Sequence, residues 1–337
     1  MQHFAPHSGS QFEGYYSKFD LPSGAKLALI VCTVPKAKDK PHMVSFTYVP
    51  HDTSKYFQKE VWADELHMVT VSKDNAFELR VPGIGWIRVH ADSKTEYSLE
   101  HADFSFHGTT TSRTPWSSET ETPESLLVYL PLPLHWHVQS LSSDCEFEIT
   151  IPDYPNLLAQ DRRGVAKVHQ EKNWAQSFPS AHIWIQARDA DRGINVAGGQ
   201  ILGMEAYLLG YRSKQTQFST DFRPPLAVKV AGLAPFMSVK QDWNNRSVEL
   251  SVQSWTRKIV IKASAPNGEW FGLSSPFAEG HRENFLAQSF KTTIVVRIYD
   301  ASWLGPWKQV HEDVFEGGSL EFGGGYYPPA GTEARRH

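Results

Sequence analysis

The chain has 337 residues, with 33 Lys and Arg against 37 Asp and Glu, a net charge of −4, 40% hydrophobic and 21% charged residues. That length suits about two globular lobes or one large β domain, and a mean hydropathy of −0.40 excludes a chain built of membrane spans or a wholly disordered one. A mildly acidic balance gives no cluster of Lys and Arg to release counterions, so nucleic acid is not an expected partner.

The opening stretch 1–9 holds His and Pro where a secretory signal would place a basic head and an apolar core, which sets the expected location as cytoplasmic. The longest apolar run, 27–34, is too short to cross a bilayer, so no stable membrane insertion is expected. Cys32 and Cys145 both lie in apolar stretches and read as buried thiols. The triplet Asn245-Arg246-Ser247 matches a glycosylation sequon, which means little without a secretory route.

With 23 Gly, 21 Pro and 12% aromatics, the composition favours many short strands over long helices. Alternating or β-branched runs predict strands at 26–34, 43–49, 77–81, 85–89, 97–106, 126–130, 136–141 and 145–151. The same test predicts strands at 182–187, 205–211, 247–255, 258–264 and 292–299, separated by turn signals such as Pro266-Asn267-Gly268. Two stretches, 109–125 and 153–180, read as loops or linkers; the second is long for a structureless connection and rich in aromatic and reactive groups. The expectation is a mostly β protein of two β lobes. The lobes are placed at 1–160 and 161–337, with the boundary within 153–180.

Motifs for serine hydrolysis, phosphate loops, zinc proteases, Cys-x-x-Cys and dinucleotides are missing, so no nicotinamide, flavin, haem or zinc cofactor is expected. His135 and His137 point to one face of a strand and could share an ion if His101, His107 or His169 approached, but two imidazoles are an incomplete ligand set and structural roles are preferred. The densest concentration of reactive groups is 169–186. Strand parity there puts His182, Trp184 and Gln186 on one face and Ile183 and Ile185 on the other. If 12–18 is extended, Glu13, Tyr15 and Ser17 share one face and Phe12, Tyr16 and Lys18 the other; Glu205, Tyr207 and Tyr211 likewise share a face.

Phe12-Glu13-Gly14-Tyr15-Tyr16, Pro133-Leu134-His135-Trp136-His137-Val138, Glu171-Lys172-Asn173-Trp174 with Ser177-Phe178-Pro179, Trp184-Ile185-Gln186, and Leu320-Glu321-Phe322-Gly323-Gly324 together resemble the tocopherol cyclase family. The central block is the most specific; Ala175 and His182 stand where that family's pattern has Gly and Trp, so the pocket wall and substrate are expected to differ. More distantly the chain is similar to carotenoid hydratase-like proteins and fungal Diels-Alderases, a resemblance that implies an all-β fold of two lipocalin-like barrel or sandwich lobes with a hydrophobic ligand cavity. The resemblance implies a cofactor-independent cyclase of a lipophilic prenylated phenol, terpenoid or polyketide in secondary metabolism.

Protonating an alkene creates a carbocation, which calls for an acid of raised pKa in a dry pocket lined by ring faces. A pericyclic closure would need only a shaped cavity and a hydrogen bond to a carbonyl. Glu171, Glu13 and Asn173 are therefore the candidate catalytic residues. Trp174, Trp184, Gln186, Tyr15, Tyr16, His169, His182, Tyr207 and Trp136 are the candidate substrate-binding residues. A carrier of hydrophobic small molecules without chemistry is the competing reading. The oligomeric state is not legible from the sequence.

Overall fold

The computed structural model describes residues 3–7, 9–52, 55–72, 74–189, 191–302 and 305–327, and within them the chain is almost entirely antiparallel β-sheet. The described residues divide into two compact units, one formed by those up to Ser177 with Pro276–Arg282, the other by Phe178–Ser275 and Glu283–Tyr327. The chain passes from the first unit to the second between Ser177 and Phe178.

The first unit contains β1 (Phe12–Asp20), β2 (Lys26–Thr33), β3 (His42–Val49), β4 (Phe57–Ala63), β5 (His67–Thr70), β6 (Phe77–Val81), β7 (Gly85–Val89), β8 (Thr95–His101), β9 (Phe104–Thr110), β10 (Leu134–Thr150) and β11 (Arg163–Ala175). Their order is β4-β3-β2-β1-β11-β10-β9-β8-β7-β6-β5, so the two edge strands, β4 and β5, are neighbours in sequence. Only residues 64–66 join them, a link that reaches at most about 15 Å. A flat sheet of that many strands would separate its edges by about 48 Å. Chain connectivity alone therefore forces the sheet to curl. The curl brings Phe46 on β3 onto Phe104 on β9, with ring centroids 4.4 Å apart and planes 12° from parallel. Alternate residues fill the interior: Phe19, Leu27, Leu29, Val31, Val44, Phe46, Phe77, Leu79, Leu99, Phe106, Phe147 and Val168 belong to one buried cluster.

The second unit contains β12 (Ala181–Asp189), β13 (Arg192–Ile201), β14 (Met204–Ser213), β15 (Phe218–Phe222), β16 (Val228–Val230), β17 (Met237–Asp242), β18 (Ser247–Gln253), β19 (Arg257–Ser264), β20 (Phe271–Phe277), β21 (Gly280–Asp300) and β22 (Lys308–Gly324). The tips of β20 and β21 count with the first unit. The main path is β15-β14-β13-β12-β22-β21-β19-β18-β17, yet Gln241 on β17 donates a hydrogen bond to Glu205 on β14 at 2.9 Å. Flat, those strands would stand about 34 Å apart, so this sheet also closes on itself. Ile183, Ile185, Val196, Leu209, Leu250, Ile261, Val296, Leu320 and Phe322 fill its core.

Three expectations are corrected here. Residues 126–130 do not form a strand: Ser125–Tyr129 is a 3₁₀ turn, closed by Leu127 N–H to Glu124 O and Leu130 N–H to Leu127 O, and its Leu126 is 78% exposed. An apolar run gains nothing as a strand where no neighbour pairs with it. The 153–180 linker contains β11, hydrogen-bonded on both sides to β1 and β10. The runs 136–141 and 145–151 are a single strand, β10, whose register against β11 shifts between Val138 and Ser143. Cys32 and Cys145 are buried and unpaired, as expected. No helix among the described residues is long and apolar enough to cross a membrane.

The Phe46–Phe104 stack locks two strands that are remote in sheet order. Phe46→Ala is expected to destabilise the first unit by about 3–5 kcal/mol, read as a lower urea midpoint with an unchanged m-value.

Candidate functional site

The interior of the first unit is not uniformly apolar. Register on β1 and β11 pairs Glu13 with Trp174, Tyr15 with Lys172, Ser17 with Gln170 and Phe19 with Val168. Directly opposed residues share a face, so these eight side chains point inward in layers that run from charged and aromatic at one end to apolar at the other. In the middle layer, Gln170 Nε2 donates to Tyr97 Oη at 2.8 Å and Thr95 Oγ1 at 3.0 Å, and Ser17 Oγ lies 3.0 Å from Tyr97 Oη.

The charged end centres on Lys172, whose side chain has no exposed surface. Its ammonium pairs with Glu13 Oε1 and donates to the backbone oxygen of Ala5, to that of Phe4 at 3.4 Å and to His7 Nδ1 at 2.8 Å. It also lies 4.9 Å from the centroid of the Tyr15 ring and 5.1 Å from that of Trp174. Burial pushes the ammonium down to about 8, even though the Glu13 charge and hydrogen bond act upward. Glu13 goes the other way. Burial acts to raise its pKa, but the hydrogen bond from His7 and the Lys172 charge outweigh this and hold the carboxylate below its ordinary value.

His7 completes the cluster. Its main-chain N–H donates to Glu13 Oε1 at 3.0 Å, and its ring stacks on Trp174 at 4.0 Å and 4°. Burial lowers its pKa, and its Nδ1 lies 2.8 Å from the Lys172 ammonium and 3.3 Å from Glu13 Oε1. Tyr15 Oη donates to Glu13 Oε1 at 3.3 Å; burial and the neighbouring Glu13 charge raise the phenol well above its ordinary value, so it remains a proton carrier. His135 stacks with Trp174 at 4.9 Å and is held by buried Glu124, whose other oxygen accepts the Trp136 N–H at 2.6 Å. His137, opposite Lys172, is pushed down to about 3 by burial.

The sequence-derived candidates separate across this geometry. Glu13, Tyr15 and Trp174 share the interior face. Tyr16, Glu171, Asn173 and His169 occupy the other face of the same two strands, where Glu171 Oε2 lies 2.9 Å from His169 Nε2, and Trp136 pairs with Asn173 on that face while its ring meets Trp116 edge-on. Glu171 and Trp174, adjacent in the motif, thus point to opposite sides of the sheet. A Cβ at Gly14, opposite Asn173, would stand 2.8 Å from Asn173 Oδ1, so the Asn173 amide would have to shift.

His182, Trp184, Gln186 and Tyr207 belong to the second unit. The first three line the β12 face opposite that unit's core, where His182 Nε2 and Gln288 Nε2 both bind the Glu321 carboxylate, at 2.7 and 3.0 Å. Tyr207 is inside the core and donates to Glu205 at 3.1 Å. His135 and His137 do share a face, and among the described residues no group of three or more His, Cys, Asp or Glu is placed to hold a metal. Lys172, His7, Glu124 and Phe4 were not assigned roles on sequence; reading 163–175 as a strand would have put Lys172 on the Trp174 face by parity alone.

No family model matches the chain, and no curated protein matches it significantly. Solved structures do. CghA, solved with Sch210972, superposes over 93% of this chain and 88% of its own at a TM-score of 0.55 and 11% identity. Kievitone hydratase from Nectria haematococca covers 95% and 91%, with a TM-score of 0.55 and 10% identity. An AttH-like protein from Nitrosomonas europaea covers 96% and 95%, with a TM-score of 0.53 and 11% identity. The chain shares a fold with these proteins, a likeness that extends over nearly its full length.

Two outcomes follow from the electrostatics. Glu13→Gln leaves the Lys172 ammonium without its anion and is expected to cost about 3–5 kcal/mol, whereas adding Lys172→Met to it recovers much of that loss in urea titrations. His137 and His281, the latter pushed down to about 4 by burial, stay neutral in the folded chain while the unfolded chain protonates them below about 6.5. Stability therefore falls as pH drops from 6.5 towards 4, and His137→Gln flattens that slope in pH-dependent melting curves.

Proposed function

We propose that the chain is a cofactor-independent catalyst of ring closure, or of the related addition of water, on a lipophilic prenylated-phenol, terpenoid or polyketide compound. The observation that carries this reading is the Glu13–Lys172–Tyr15–Trp174 cluster inside the first barrel: an ion pair, a phenol and a large ring face in a water-poor interior. The fold shared with CghA and kievitone hydratase is consistent with it.

The cluster favours one route over the other. Because Glu13 is held ionised, it is a counter-ion or base rather than the acid that alkene protonation demands. The remaining donors are Lys172, at about 8, and Tyr15. Relative to an ordinary carboxylic acid, an ammonium of that pKa is weaker by about four units, or about 5 kcal/mol of proton-transfer driving force. Initiation through a free carbocation is therefore disfavoured. Lys172 and Tyr15 are instead placed to stabilise negative charge growing on a carbonyl or phenol oxygen, as in a conjugate addition or an activated pericyclic closure. Trp174 offers an indole face to the substrate once the His7 ring stacked on it is displaced.

The test is incubation with linear prenylated phenols and polyene ketones, with products resolved on a chiral column. A single cyclised or hydrated stereoisomer supports catalysis; a bound but unchanged ligand would make the protein a carrier. Tyr15→Phe keeps the ring and is expected to lower kcat by about 10²-fold while leaving the fold intact. Loss of turnover in Glu171→Gln, with Tyr15→Phe unaffected, would move the chemistry to the opposite face of β11. Because the charged ammonium is the active form, kcat/KM is expected to fall as pH rises through about 8.

A further inference from the structure

Residues 3–7 pair with no strand, yet they are held inside the first barrel's charged end. Phe4 is 3% exposed, its ring 5.4 Å from Tyr15, 5.9 Å from Phe77 and 6.2 Å from His137. The backbone oxygens of Phe4 and Ala5 accept from Lys172, and the His7 ring lies flat on Trp174. The segment thus uses the three features the proposed chemistry would offer a ligand: the aromatic box, the ammonium donors and the indole face. One group at this site is left over. His137 is buried and donates from Nε2 to Gln139 Oε1 at 3.3 Å, which leaves Nδ1 as an acceptor without a hydrogen-bond partner.

Resting on the reading above, we propose that segment 3–7 is an internal stand-in for the ligand, and that the compound which displaces it carries an aromatic or enolised ring with both a carbonyl and a hydroxyl. The ring takes the place of Phe4 among Tyr15, Phe77 and His137. The carbonyl oxygen replaces the Phe4 and Ala5 oxygens on Lys172. The hydroxyl donates to His137 Nδ1, which nothing in the segment satisfies, and this gives the ligand an advantage over the plug beyond simple exchange of like contacts. A saturated hydrocarbon of the same size would gain the box but leave the ammonium short of acceptors. The site therefore selects acyl-phenol or enolised dicarbonyl character and rejects plain terpenes.

Displacement predicts two linked effects. The apparent affinity of the ligand is reduced by the fraction of chains in which the plug is in place. Weakening the plug without touching Lys172 or His137 must then tighten binding.

The experiment uses the full chain with Ala5→Cys as a reporter. Ala5 meets Lys172 through its backbone oxygen, so the substitution leaves that contact in place, and the unsubstituted chain, whose Cys32 and Cys145 are buried, gives the labelling background. The probes are 4-hydroxyacetophenone, 4-methoxyacetophenone, which lacks the hydroxyl donor, and 4-ethylphenol, which lacks the carbonyl. With the first probe, maleimide labelling of Cys at position 5 is expected to accelerate about tenfold as the plug leaves, and the two analogues are expected to be markedly weaker. Phe4→Ala should tighten 4-hydroxyacetophenone by about tenfold through the loss of its own ring burial. His137→Phe should remove the preference for hydroxyl over methoxy.

Binding without faster labelling, weaker binding in Phe4→Ala, or equal affinity for all three probes in the unsubstituted chain would each overturn the proposal. These readouts are binding and thiol access, whereas the cyclase reading is judged on product. A displaced plug without turnover leaves this inference standing and sinks only the catalytic one, and turnover without displacement does the reverse.

Discussion

An ammonium group with no exposed surface sets the terms for the first barrel. Removing Lys172 from water costs several kcal/mol unless acceptors surround it, and the fold supplies them from separate parts of the chain: Glu13 on β1, and the backbone oxygens of Phe4 and Ala5 with the His7 ring from the segment before it. The Tyr15 and Trp174 rings add favourable faces for the charge. None of these partners compensates alone. Together they fix the register of β1 against β11 and hold a stretch of irregular chain inside the barrel mouth.

That requirement also explains why the barrel interior is graded. At the far end, closure of the sheet is driven by apolar packing, with Phe46, Phe104, Phe106 and Phe19 in mutual contact. At the near end the same strands place polar side chains inward, and each must find a hydrogen bond because water is excluded. Glu124 is a case in point: it is buried, and it both clamps His135 and caps the Trp136 amide. Apolar packing therefore dominates one end of the barrel, while the other end depends on a network of buried charge and hydrogen bonds.

The second barrel follows the same construction with a different polar insert. Glu205 enters the interior from β14, where its Oε1 accepts from Tyr207, Gln241 and Tyr326 while Lys229 lies 3.7 Å from Oε2, an arrangement that joins strands distant in sheet order. Its role is to close the sheet. The contrast with Glu13 is instructive: both carboxylates are buried beside tyrosines, but only Glu13 shares its site with a buried ammonium and a stacked indole.

The sequence by itself determined the class of fold and much of the strand content, because period-two alternation and frequent Gly and Pro leave few alternatives to antiparallel sheet. It also determined which residues within a strand share a face, and the parity of Glu13, Tyr15 and Ser17, and of His182, Trp184 and Gln186, is as the pattern requires. β11 was hidden from it. In 169–174 both faces carry polar or aromatic residues, so no alternation marks the strand, and its extended form is imposed by hydrogen bonds to β1 and β10. Only the tertiary structure decided that Glu171 and Trp174 look to opposite sides and that Lys172 is the charged group at the centre. It alone brought Phe4 and His7 to that group. Those outcomes depend on which distant strands become neighbours, and a side chain's partners across a closed sheet are set by closure rather than by its neighbours in sequence.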